Sequence, residues 1–127
     1  MSFTLQADVS FTTPPYTGQP NCPVPITFSV TYDHKACYRF ELSGSGTQTV
    51  DFGSMPAVGA KAIMIAMDAD TSPAAQPINI NVNSGTDNWE LSPGGFLSYG
   101  SPDPSTGITA MDLVYSVDFK AWVWLFG

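Results

Sequence analysis

Apolar and polar side chains alternate with a period of two along most of this chain. Phe3, Leu5, Ala7, Val9 and Phe11 fall on one face of an extended segment and Thr4, Gln6, Asp8, Ser10 and Thr12 on the other, which predicts a half-buried strand. Prolines at 14, 15, 20, 23 and 25 then interrupt the pattern. Each removes a ladder donor and fixes φ, so residues 14–25 read as an extended loop. Ile26, Phe28, Val30 and Tyr32 restart the alternation. Asp33-His34-Lys35 reads as a polar turn, and Ala36, Tyr38, Phe40 and Leu42 continue into another strand. Ser43-Gly44-Ser45-Gly46 reads as a hairpin turn before a strand over Thr47–Phe52.

The run AKAIMIAMD at 60–68 is apolar on both faces, which places it in the middle of a sheet and not at its margin. Ile78, Ile80 and Val82 alternate with Asn79, Asn81 and Asn83, predicting an amide row on an outer face. Short strands follow at Trp89–Leu91 and Phe96–Tyr99 around the tight turn Pro93-Gly94-Gly95, where glycine supplies a positive φ. After the Pro/Gly loop Ser101–Gly107, strands are expected around Met111–Tyr115 and over Val117 to Phe126. About eight to ten short strands with Gly/Pro turns and no substantial helix predict an all-β protein, an antiparallel β-sandwich of jelly-roll-like type. The length of 127 residues fits a single domain, 1–127.

Charge narrows the function classes. Charged residues make up 12% of the chain, about half the ~25% usual for a soluble domain. The net charge is −7, and Lys35, Arg39, Lys61 and Lys120 are isolated from one another in sequence. Displacing phosphate counterions takes several clustered cations, so nucleic acid and anionic membranes are disfavoured as partners. The longest apolar runs, Ala62–Met67 and Ala121–Phe126, fall well short of the ~18 residues of a spanning helix. With no basic and apolar leader after Met1-Ser2, a soluble protein without an export signal is expected. Cys22 and Cys37 match no zinc spacing; they read as two free thiols in a reducing compartment, with a single bridge left open.

Catalytic chemistry finds little support. His34 is the single histidine and sits in a turn, no nucleophile motif accompanies it, and Glu41 and Glu90 occupy polar alternation positions that a solvated strand face explains. Asp68-x-Asp70-Thr71 offers oxygen ligands to a hard cation but lacks the further acids of a calcium loop, so a capped turn is the preferred reading. No catalytic residue, metal site or cofactor is assigned.

The C-terminal segment VDFKAWVWLFG carries more information. Val117, Phe119, Ala121, Val123 and Leu125 form one apolar face, yet the other face ends in Trp122, Trp124 and Phe126. A strand with one solvated face should not carry three large aromatics outward. Two readings stand: a central strand covered on both faces, or an intersubunit surface, since aromatic anchors dominate protein interfaces. The loop at 14–25 has a matching pair of readings, a plain connection or an arm lying on a neighbour through Pro14, Pro15 and Tyr16.

The segments GSGTQTVDFG, AKAIMIAMD, PININVN, LSPGGFLSYG and the terminal WLFG together resemble the small all-β virion proteins of tailed bacteriophages, in particular capsid cement or decoration proteins and tail-associated proteins of similar size. The resemblance spans roughly residues 42–127 and rests on turn and strand signatures, none of them catalytic. It implies a jelly-roll-like sandwich bound to the capsid exterior, assembled in the host bacterial cytoplasm, with a major capsid protein and further copies of itself, as dimer or trimer, for partners. A tail or fibre location is the neighbouring alternative. Neutral polar side chains such as Thr47, Gln48, Thr49, Asn79, Asn81 and Asn83 suit packing against protein without desolvating ions. A third expectation, from the chemistry of β-sandwiches, is a carbohydrate-binding module with Trp89 or Tyr99 as its stacking platform.

Overall fold

The computed structural model describes residues 3–9, 26–86, 88–100 and 107–127. Ten strands follow in order: β1 (Phe3–Val9), β2 (Ile26–Tyr32), β3 (Lys35–Leu42), β4 (Gly46–Thr49), β5 (Ala62–Met67), β6 (Ile78–Val82), β7 (Trp89–Leu91), β8 (Phe96–Gly100), β9 (Met111–Tyr115) and β10 (Phe119–Phe126). Every strand the alternation predicts is present, and no helix occurs among the described residues. The loop reading at 14–25 and most of the Ser101–Gly107 loop lie outside the described residues.

Eight strands form two four-stranded antiparallel sheets, ordered β3-β10-β5-β8 and β4-β9-β6-β7. The pairings nest: β3 with β10, β4 with β9, β5 with β8, β6 with β7. A long hairpin rolled up on itself produces that nesting, and rolling adds the second-order pairs β5 with β10 and β6 with β9. This is the jelly-roll arrangement of an antiparallel sandwich. One consequence overturns a local expectation. Ser43–Gly46 does not close a hairpin, because β3 and β4 belong to different sheets; the turn carries the chain across the sandwich. Gly44 takes φ +78 there, and its N–H donates to the Asp118 carboxylate at 2.7 Å. The following strand stops at Thr49, after which the Val50 N–H still reaches the Met111 carbonyl at 2.9 Å.

Inward positions of both sheets meet in one core. Ile63, Ile65, Ile78, Ile80, Met111, Leu113, Val123 and Leu125 are fully buried, each contributing about 1.5–3 kcal/mol by removal from water. Phe119, Ala121, Val123 and Leu125 are the inward set of β10 and are all buried, as the period of two requires. The run at 62–67 is central, flanked by β10 and β8, which accounts for its lack of a polar face. The Pro93-Gly94-Gly95 turn also takes its expected form, with Gly94 at φ +78.

The first two strands form a separate antiparallel ribbon. Its register pairs Phe3 with Tyr32, Leu5 with Val30, Ala7 with Phe28 and Val9 with Ile26. Tyr32 ties the ribbon to the sandwich by packing on Phe126, ring centroids 4.7 Å apart. Beside it the Asp33 and His34 N–H groups both donate to the Gly127 carbonyl at 2.8 Å, and the Gly127 N–H returns a bond to His34 O at 2.9 Å. His34 thus serves the fold through its backbone, while its side chain is exposed.

The amide row is only partly realised. Asn79 and Asn81 lie on β6, but Asn83 lies past its end, at φ 49, and its side chain is spent on another segment. Its Oδ1 accepts from the Thr109 N–H at 2.8 Å and its Nδ2 donates to the Gly107 carbonyl at 3.1 Å. A short amide that can occupy the left-handed region turns the chain and fastens a neighbouring loop at once.

Candidate functional site

With one side of each sheet committed to the core, any site must lie on an outer face, an edge or an end. The outer face of β3-β10-β5-β8 is the unusual one. The strand registers arrange it in rows running β3, β10, β5, β8: Lys35, Phe126, Ala62, Gly100; then Cys37, Trp124, Met64, Ser98; then Arg39, Trp122, Ala66, Phe96. Glu41, Lys120 and Asp68 close it at the far end, where Glu41 lies opposite Lys120 and the Asp68 N–H bonds the Lys120 carbonyl. An outward sheet face ordinarily reads polar; this one is apolar across its middle.

Burial along the rows is graded. Phe126 and Ala62 are buried beneath Tyr32, Trp124 and Met64 are half-buried against them, and the third row opens to solvent, with Trp122 41% and Phe96 59% exposed. The reading of the C-terminal strand as a central strand covered on both faces therefore holds only in part. It is a central strand, paired on both edges, so its uncharged AWVWLF segment offers no free ladder to another chain. Its outward face is covered at Phe126 and uncovered at Trp122.

Trp122 has two close neighbours on this face. Trp124, two residues on along the same strand, stacks on it at 6.0 Å with 16° between ring planes. The Arg39 guanidinium lies over the Trp122 ring, 5.2 Å from its centroid. Arg39 is fixed in turn by a two-pronged bond to Asp68, at 2.8 and 2.6 Å, with Glu41 farther away at 3.4 Å. The Arg39 hydrogen bond and positive charge hold the Asp68 carboxyl below its ordinary value, and Asp68 raises Arg39 in return.

The charge distribution sharpens the contrast. Lys35, Arg39 and Lys120 all belong to this face, three of the four basic residues in the chain, against Glu41 and Asp68. That leaves the face at about +1 on a protein of net charge −7. Sequence reasoning singled out Trp122, Trp124 and Phe126 but missed Phe96, Arg39 and Asp68, which join the patch only through strand order.

The other candidates separate. Trp89 and Tyr99 lie in different sheets, both half-buried against the core, with centroids 6.0 Å apart. Neither is among the exposed large apolar side chains. Glu41 and Glu90 also fall in opposite sheets and do not form a catalytic pair. Asp70 Oδ1 accepts from the Ser72 N–H at 2.8 Å, which is the capped turn, while Asp68 is engaged by Arg39. An open cleft of about 550 Å³ runs between these turns, lined by Glu41, Asp68, Asp70, Asp118 and Lys120 among others. Among the described residues no group of three His, Cys, Asp or Glu side chains converges on one point. Cys37 is an exposed thiol on the apolar face; Cys22, Pro14, Pro15 and Tyr16 lie outside the described residues. No family model, no curated protein and no solved structure matches the chain.

Proposed function

We propose that this is a non-enzymatic structural protein of the virion, a cement or decoration protein that docks on the outside of a tailed-phage capsid and acts in several copies. The observation carrying this reading is the open aromatic row of Trp122 and Phe96, with Ala66 between them, on an otherwise well-packed jelly roll. Exposed aromatic rows of this kind anchor protein interfaces, and the contacts of Trp122 with Trp124 and Arg39 lower the entropy lost on docking. The phage setting comes from the resemblance of residues 42–127. The same geometry favours a protein partner over a sugar. Stacking a pyranose needs a free ring face, and Trp122 already has Arg39 over its ring at 5.2 Å and Trp124 stacked at 6.0 Å.

The test is add-back to purified capsids lacking the protein, measured by co-sedimentation. Truncating one anchor of this type costs about 2 kcal/mol or more, so Trp122→Ser and Phe96→Ser should each weaken binding ~30-fold or more. Binding by both variants at the wild-type level, or wild-type protein that does not bind capsids, overturns the proposal.

A further inference from the structure

β3 is an edge strand of its sheet, eight residues long, with β10 on one side and no strand on the other among the described residues. Such an edge presents a row of backbone donors and acceptors and normally needs protection. Its outward residues are Lys35, Cys37, Arg39 and Glu41; its inward ones are Ala36, Tyr38, Phe40 and Leu42. We propose that β3 pairs antiparallel with β3 of a second copy across a two-fold axis at Tyr38, joining two four-stranded sheets into one of eight. This deepens the multi-copy part of the reading above by naming the contact between copies.

The register follows from charge and the pleat. Antiparallel pairing across a two-fold axis must set outward residues opposite outward ones, which leaves only registers centred on a residue. Centred on Tyr38, Lys35 of each copy lies opposite Glu41 of the other, twice over, Cys37 lies opposite Arg39, and Phe40 lies opposite Ala36. The two Tyr38 residues meet at the axis as an aromatic pair. Moving the centre one residue back, to Cys37, sets Lys35 against Arg39; moving it forward, to Arg39, sets that cation against itself. A centre at Phe40 pairs Arg39 with Glu41 but keeps only five strand residues in register instead of seven. Glu41 is available for the contact, since its side chain is 60% exposed and holds Arg39 only at 3.4 Å. The charges that shield this edge from other strands thus match a second copy of it.

The pairing also meets a general constraint. Two chains of net charge −7 repel, and β3 belongs to the face that carries about +1. Side by side, the two sheets would present both Trp122–Phe96 rows to one partner surface.

Analytical ultracentrifugation of the full chain tests this with a charge swap. Wild type should be a dimer. Lys35→Glu and Glu41→Lys each turn two attractive cross-strand pairs into two repulsive ones and should weaken the dimer about 10- to 30-fold. The double variant Lys35→Glu/Glu41→Lys should recover most of that loss, a result mere misfolding cannot give; near-UV circular dichroism confirms that each variant is folded. A monomeric wild type, single variants that dimerise normally, or a double variant no better than the singles overturns the proposal. Capsid add-back separates the two readings: capsid binding that depends on Trp122 in a monomeric protein refutes the β3 contact and leaves the docking face standing.

Discussion

Asn83 gives the sharpest test of how this fold is held together, because the structure assigns it a role unlike that of its neighbours Asn79 and Asn81. Its φ of 49 and that of Ser84, 65, make a turn closed by the Gly85 N–H on the Val82 carbonyl at 2.8 Å. The side chain makes two well-placed bonds, from the Thr109 N–H at 2.8 Å and to the Gly107 carbonyl at 3.1 Å, with weaker ones from Thr109 Oγ1 and the Ala110 N–H. Asn83→Ala loses both principal bonds at about 1 kcal/mol each and places a Cβ-bearing residue with no compensating amide in the left-handed region at about 1 kcal/mol more. The sum is about 3 kcal/mol, or roughly 10 °C in Tm for a domain of this size. Asn83→Gly removes the bonds but not the freedom to take positive φ, so it should lose only about 2 kcal/mol. Both numbers come from guanidinium unfolding monitored by tryptophan fluorescence. An alanine variant within 1 kcal/mol of wild type would refute the clasp, and a glycine variant as unstable as alanine would refute the backbone part of the argument.

Gly59 sits at φ +94, where an added Cβ would lie 2.6 Å from the Ile108 carbonyl oxygen. Gly59→Ala should therefore destabilise by more than 3 kcal/mol, read by thermal unfolding; a Tm within 3 °C of wild type would contradict it. The pH dependence follows from Asp68, whose carboxyl lies below its ordinary value of 3.8 because of Arg39. A depressed carboxylate contributes stability that is fully present above the ordinary value and is lost as pH falls through the folded one. The stability difference between wild type and Arg39→Gln should be constant from neutrality down to about pH 5 and shrink below about pH 4; a difference that grows on acidification would show the assignment to be wrong. Ile63→Ala, at the fully buried centre of β5, should cost 2–5 kcal/mol in the same unfolding assay, whereas a loss under 1 kcal/mol would mean that the core is not packed as described.

Much of the fold is legible because its strands are half-buried. Alternation marks such a strand directly, and the inward set Phe119, Ala121, Val123 and Leu125 can be read from the chain before any partner is known. The expected amide row shows where the pattern ends. Asn79, Asn81 and Asn83 are equally spaced, and nothing local tells that Asn83 has left the strand, since its partners Gly107, Thr109 and Ala110 lie more than 20 residues away. The hairpin expected at Ser43–Gly46 failed for a related reason. A Gly/Ser turn fixes a change of direction but not whether the next strand stays in the same sheet, and here the nested pairings send β4 across the core.

The sequence by itself determined the number, face and approximate limits of the strands, because side-chain periodicity is a local consequence of the pleat. It also showed three aromatics on the outward face of the last strand. What covers them was decided by tertiary structure alone. Strand order brought Tyr32 onto Phe126, Arg39 and Asp68 around Trp122, and Phe96 into the same row, while leaving that row open. Pairing between distant strands sets which outward residues become neighbours, and no periodicity within one strand encodes that choice.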